Sequence, residues 1–172
     1  LVQRSGLMFS LDLASAFMHC PMAPEAYTMM GFRWRGVFYE MLTLAFGQTF
    51  SPYYWCTLMS AVSQHFRACG VPHIVYIDDW GVFLGTDRRE AERVRDWVVS
   101  VFNDLGLTLN VPKSCLELST RIKLLGFYIS SETMQFELIE SKVAEIEATA
   151  QRMLDRPSAT AREVARLTGK VL

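Results

Sequence analysis

Apolar residues along this chain follow two periods. Short runs at residues 8–13, 27–34, 37–42, 73–77 and 80–84 have the length and the aromatic and branched content of strands. Elsewhere the apolar positions recur every three or four residues. Ala91, Val94, Val98, Val101, Phe102 and Leu105 form such a stripe, opened by Asp87 with Glu90 three residues on and closed by Gly106. Ser51-Pro52 predicts a second helix to about residue 69, with a hydroxyl cap and proline at the first helical position. Arg35-Gly36 predicts a tight turn between two strands, residues 122–129 one further short strand, and residues 140–154 a third helix. Thr160-Ala161-Arg162-Glu163 is the capping pattern of a fourth. Helices following strands in this way are expected to cover one face of a sheet.

Composition narrows the class without naming a partner. The 172 residues are 51% apolar and 20% charged, enough for one sizeable core and a small appendage. A formal net charge of −1 gives no basic footprint for nucleic acid. The four cysteines, Cys20, Cys56, Cys69 and Cys115, are scattered without close pairing, and no secretory signal is visible, so they read as reduced core thiols of an intracellular protein, in cytoplasm or nucleus. Residues 41–64 carry no charge, but Gly47, Gln48, Ser51 and Pro52 interrupt them and argue against a membrane span. The chain begins Leu1-Val2-Gln3 without an initiator Met and ends Lys170-Val171-Leu172, which reads as a fragment of a larger polyprotein.

The candidate chemistry lies in Tyr76-Ile77-Asp78-Asp79, where two adjacent carboxylates follow an apolar run. Two like charges about 4 Å apart repel by roughly 4 kcal/mol at an effective dielectric near 20, so such a pair is usually paired, solvated or metal-bound. An Asp-Asp turn closing a hairpin is the plain reading of the pair alone. A further acid changes it: Asp12 ends the strand-like run Met8-Phe9-Ser10-Leu11-Asp12-Leu13, and two such strands side by side bring Asp12 and Asp78 to one sheet edge in a two-metal geometry. Magnesium suits carboxylates and phosphate oxygens best, with manganese as the alternative. None of His19, His65 and His73 has a zinc-like spacing with Cys, and all three read as structural.

These segments, in this order, resemble the palm of a reverse transcriptase, closest to those of DIRS-like retroelements. Leu11-Asp12-Leu13-Ala14-Ser15-Ala16-Phe17, continuing to His19 and Pro21, resembles the first catalytic motif. Phe32-Arg33-Trp34-Arg35-Gly36 with Phe38-Tyr39 resembles the following hairpin, and Leu44-Ala45-Phe46-Gly47-Gln48-Thr49-Phe50-Ser51-Pro52 the nucleotide-side motif that opens a long helix. Tyr76-Ile77-Asp78-Asp79 is similar to the polymerase box, Leu105-Gly106-Leu107-Thr108-Leu109-Asn110 with Lys113-Ser114 to the motif whose lysine lies near the departing pyrophosphate, and Leu124-Leu125-Gly126-Phe127 to the turn that grips the primer end. Six ordered matches span residues 11–127.

The resemblance implies an α+β polymerase palm, an antiparallel sheet of ferredoxin-like or RRM-like kind packed on helices, with partial fingers over residues 1–130 and the helical start of a thumb or connection over 131–172. It implies two metal ions at Asp12, Leu13, Asp78 and Asp79, with Lys113 as a further catalytic group that otherwise reads as an ordinary surface lysine. Nucleotide contacts fall to Phe17, Phe46, Gly47 and Gln48, and primer contacts to Tyr76, Leu125, Gly126 and Phe127. Phe17 beneath the sugar would clash with a 2′-hydroxyl and select deoxynucleotides, where its plain reading is a core aromatic. The implied partners are an RNA or DNA template with its primer, deoxynucleoside triphosphates, and further domains of the polyprotein such as fingers and nuclease; no membrane is implied. Arg152, Arg156, Arg162, Arg166 and Lys170 are placed to touch phosphates, against the plainer reading of a solvated helix face. Two departures stand out: Ala45 where most members carry Pro, and Gln48 where a small or aliphatic residue is common. A non-catalytic nucleic-acid-binding scaffold is the alternative reading, for which the three acids would be expected to erode. An RNA-templated RNA polymerase is opposed by Phe17.

Overall fold

The computed structural model describes residues 1–171, the side chains of residues 170 and 171 excepted. Among the described residues, nine strands and four α-helices are arranged as β1 (Met8–Asp12), β2 (Gly31–Trp34), β3 (Val37–Glu40), α1 (Ser51–Ala68), β4 (His73–Tyr76), β5 (Asp79–Phe83), α2 (Arg88–Asp104), β6 (Cys115–Ser119), β7 (Arg121–Leu124), β8 (Phe127–Ser130), β9 (Gln135–Leu138), α3 (Glu140–Leu154) and α4 (Ala161–Val171). The central sheet has the order β4-β5-β1-β6, with β1 antiparallel to both of its neighbours. This is the expected α+β architecture of antiparallel sheet and helices.

Alternation along β1 and β5 divides the sheet into two faces. Phe9, Leu11, Trp80 and Val82 join the main core with Trp55, Met59 and Phe66 of α1 and Val98 and Phe102 of α2. Trp80 is its centre, with ring centroids of Phe102 at 5.1 Å and Phe66 at 5.7 Å, edge-on contacts that add about 0.5–1.5 kcal/mol each to the burial itself. On the opposite face Met8 and Phe83 meet Ile122, Leu124 and Ile129 of the three-stranded sheet β7-β8-β9. Gly81 permits that approach: a Cβ there would stand 2.5 Å from Leu124 Cδ2. Farther along the same face, beyond the cover of β7 and β8, come Asp12 and Asp79.

Several local expectations hold. Asp87 caps α2 by accepting from the amides of Arg89 and Glu90 at 2.9 and 3.1 Å, and Thr160 and Glu163 form a reciprocal capping box before α4. Arg35 and Gly36 both have positive φ, as a two-residue hairpin turn between β2 and β3 requires.

Others are corrected. Residues 24–30 form a 3-10 segment, not strand, because Pro24 sets a helical φ and only Gly31 onward finds a partner in β3. Residues 122–129 belong to two strands that turn at Leu125-Gly126. Ser51 is not a cap: it is already the first residue of α1, and its hydroxyl donates to the Ala45 carbonyl at 2.7 Å. The cysteines are not core thiols, since Cys56, Cys69 and Cys115 are exposed; Cys20 alone is half-buried, and burial pushes its thiol pKa up.

Candidate active site

The acidic turn is made by its surroundings as much as by its sequence. Tyr76 pairs with Asp79, leaving Ile77 and Asp78 as a two-residue loop, and of these only Ile77 has a positive φ, +56°. A β-branched residue in the left-handed region costs on the order of 1–3 kcal/mol and persists only where neighbours hold it. Here they do. The Ile77 carbonyl accepts the indole N–H of Trp55 at 2.9 Å, and the Asp78 carbonyl accepts the Leu13 amide at 3.1 Å. Asp12 and Asp79 are direct cross-strand partners, so their side chains share a face, with Asp78 at the bend beside them.

The opposite flank of β1 is fixed by the turn that carries Lys113, which the family resemblance brought to the site, through hydrogen bonds that the sequence did not show. Asn110 donates its amide to the Asp12 carbonyl at 2.8 Å, and the Asp12 amide donates to Ser114 Oγ at 3.0 Å. The Ser114 hydroxyl in turn donates to the Asn110 carbonyl at 2.9 Å, which also accepts the amides of Lys113 and Ser114. This closed network seats Lys113 beside the acids.

Asp12, Asp78, Asp79 and Lys113 share one cleft of about 790 Å³ with Lys123, Leu125, Gly126 and Lys142. The carboxyl of Asp79 is held above the usual carboxylate range. Burial is the main cause, repulsion from Asp78 and then Asp12 adds to it, and Lys113 acts in the opposite sense. Among the described residues, no three His, Cys, Asp or Glu side chains close on a point as a complete ligand shell. The crowding of three acids, in an oxygen-only donor set, fits a hard divalent ion such as magnesium, which takes one or two carboxylates and keeps its remaining positions for water and substrate phosphates. Leu13 can offer such an ion only its carbonyl, because its side chain carries no donor atom; that side chain is buried in the core.

The remaining expected residues fall into two groups around this cleft. Phe17 is buried in a 3-10 turn after β1, and its ring lies 5.1 Å from that of exposed Phe46, so the two aromatics expected on the nucleotide side are brought together. Gly47 and Gln48 continue that loop into α1. Gly47 has a positive φ of +87°, and a Cβ there would meet none of this chain's atoms within 4 Å. Leu125 and Gly126 line the far wall, and Phe127 lies under Lys142, whose ammonium is 5.5 Å from the ring centroid. Tyr76 is 59% exposed on the edge strand. At the end of the chain, Arg156 pairs with Glu163 at 3.1 Å, and Arg152 donates to the Ala148 carbonyl at 3.1 Å and the Thr149 hydroxyl at 3.2 Å. Arg162 and Arg166 are exposed, and the side chain of Lys170 lies outside the described residues.

A family model described as "Reverse transcriptase (RNA-dependent DNA polymerase)" matches residues 2–129. This chain belongs to the reverse transcriptase family. Protein P of duck hepatitis B virus (strain Germany/DHBV-3) is 26% identical over 148 residues, which are 84% of this reverse transcriptase chain and 18% of that protein. The foamy viral protease-reverse transcriptase in complex with RNA/DNA hybrid superposes with a TM-score of 0.79 at 19% identity, over 99% of this chain and 21% of its own. The same enzyme in complex with dsDNA gives 0.81 at 20%, over 99% and 33%. These two structures carry the fold, and the matches reach the family without reaching its DIRS-like subdivision. The chain thus spans between 18% and 33% of the length of these relatives.

Proposed function

We propose that the protein carrying this chain is an RNA-directed DNA polymerase that adds deoxynucleotides to a primer 3′ end on an RNA or DNA template. The observation that carries this reading is the pairing of Asp12 with Asp79 at the open end of the sheet, with Asp78 at the adjoining bend and Lys113 in the same cleft. The reaction joins the primer 3′ oxygen to the α-phosphorus and releases pyrophosphate. Two magnesium ions at the acids, with manganese as a substitute, would activate the primer hydroxyl and offset charge on the leaving oxygens. Asp12 and Asp78, with the Leu13 carbonyl, are assigned as ligands, and Asp79 as a ligand or as the group that sets the local field.

The chain's other residues position and select. Lys113 supplies positive charge, or a proton, where pyrophosphate departs. Phe17, with Phe46 against its ring and Gly47 and Gln48 beyond, forms the floor that excludes a 2′-hydroxyl. Tyr76 and the turn Leu125-Gly126-Phe127 hold the primer end. In this reading residues 1–130 are palm with partial fingers, and residues 131–172 begin a thumb or connection in which Arg162 and Arg166 meet backbone phosphates. The polymerase would act with further domains, fingers and nuclease, inside the cell; among the described residues no helix is long and apolar enough to cross a membrane.

The test is primer extension by the full-length protein on an RNA template with deoxynucleotides and Mg²⁺, beside an Asp78→Asn variant. The expected result is extension by the parent and a loss on the order of 10³-fold, about 4 kcal/mol on the barrier, in the variant. A folded parent that binds primer–template and extends nothing would favour the scaffold reading.

A further inference from the structure

The first turn of α1 carries two buried side chains one helical turn apart that reach to different loops. Ser51 donates to the Ala45 carbonyl at 2.7 Å and so tethers the Ala45–Gln48 loop. Trp55, fully buried, donates its indole N–H to the Ile77 carbonyl at 2.9 Å. Ile77 is the residue of the acidic turn with a positive φ, and in a two-residue hairpin loop the carbonyl of the first central residue has no partner across the ladder. Trp55 is therefore that group's donor. The next carbonyl, of Asp78, is held separately by the Leu13 amide at 3.1 Å, so both peptides of the loop are anchored from outside the hairpin. A buried phenyl ring would fill much of the same core space without offering a donor, which separates the N–H from the packing.

We infer that Trp55 is a positioning residue: its N–H sets the Ile77 peptide so that Asp78 and Asp79 stay aimed at Asp12, and through Ser51 the same helical turn couples this acidic loop to the Ala45–Gln48 loop. The structural half of the inference stands on the hydrogen bonds alone, while its catalytic consequence rests on the polymerase reading above.

The experiment replaces Trp55 in the full-length protein with β-(3-benzothienyl)alanine, which keeps the fused ring and exchanges only the N–H for sulfur; Trp55→Phe serves as the second variant. Two readouts are taken. The first is amide hydrogen exchange at Leu13, whose bond reports the Asp78 carbonyl, compared with amides in the middle of α1. The second is the Mg²⁺ dependence of primer extension, with kcat and the deoxynucleotide KM measured separately. The expected result is exchange at Leu13 faster by about 10-fold with α1 unchanged, together with a kcat lower by about 10-fold, a raised half-saturating Mg²⁺ and an unaltered KM. Trp55→Phe should share these effects and lose thermal stability as well. Exchange and Mg²⁺ dependence equal to the parent's, or faster exchange spread evenly over α1 and the sheet, would reduce Trp55 to a core residue and overturn the inference. Should the parent itself not extend a primer, the polymerase reading fails while the exchange at Leu13 still decides whether Trp55 holds the turn.

Discussion

Two two-residue turns look across the same cleft, and they keep their shapes by opposite means. The Leu125-Gly126 turn between β7 and β8 has positive φ at both central residues, +50° and +82°, the pattern of a type I′ hairpin, and Gly126 adopts it without cost. The Ile77-Asp78 turn between β4 and β5 has no glycine and relies on Trp55 and Leu13. One turn is specified locally and the other by tertiary contacts. The difference teaches where tertiary structure has displaced local preference: Ile77, which leads into the two carboxylates, occupies the left-handed place that turn formation alone would give to glycine.

The largest break in that comparison comes from altering what lies between the turns. Gly81→Ala places a methyl against Leu124, the residue that opens the Leu125-Gly126 turn, and the buried leucine must move or the hairpin must lift. We expect a loss of about 1–3 kcal/mol in chemical denaturation, with a displaced β7–β8 hairpin seen as changed chemical shifts at Leu125 and Gly126. An unchanged denaturation midpoint would show that the two sheets are not packed at this point.

A second difference is pH. The acidic hairpin contains buried His73, whose Nδ1 donates to the Val71 carbonyl at 2.8 Å while its Nε2 accepts the Ser63 hydroxyl at 2.7 Å, and the β7–β8 hairpin contains no histidine. Burial lowers the His73 pKa, the Val71 bond opposes this, and Arg67 reinforces it. With the folded pKa below the unfolded value of about 6.5, the unfolded chain binds more protons as pH falls past that value. Stability is therefore full above about pH 7 and declines on acidification from about 6.5 toward the folded pKa. Urea midpoints between pH 5 and 8 should show this slope, and His73→Gln should flatten it.

The smallest effect sharpens the contrast. Leu125→Asn creates the Asn-Gly pair favoured in type I′ turns, and should stabilise the chain by about 0.5–1 kcal/mol as a rise in the thermal midpoint. The analogous Ile77→Asn should not stabilise, because Ile77 also packs against the main core.

The sequence made the central strands, α1, α2, the acidic turn and the four-helix order legible, because period and capping are local properties. It did not make β6 and β9 legible: Cys-Leu-Glu-Leu-Ser and Gln-Phe-Glu-Leu are four or five residues long with polar alternates and become strands through their partners. The hydrophobic pattern merged β7 and β8 into one strand because leucine at positive φ carries no turn signal, and only the resemblance at Leu124-Leu125-Gly126-Phe127 marked the turn. Within the candidate site the acids and the Asn110 and Lys113-Ser114 segment were visible as motifs, whereas the bonds that Trp55, Asn110 and Ser114 make reach partners 22 to 102 residues distant and Gly81 acts through a lost side chain, which no spacing rule reports.

The β2–β3 ribbon has a consequence of its own. Every residue of both strands is exposed, Phe32 stacks on Tyr39 at 5.4 Å, and Arg33 and Arg35 lie over Phe38 and Trp34. A two-stranded ribbon without a packed face is marginal by itself. Within this chain it should open in a local event far cheaper than global unfolding, so its backbone amides would exchange with solvent while the sheet behind the carboxylates remains closed, giving the molecule a loose arm on a rigid body.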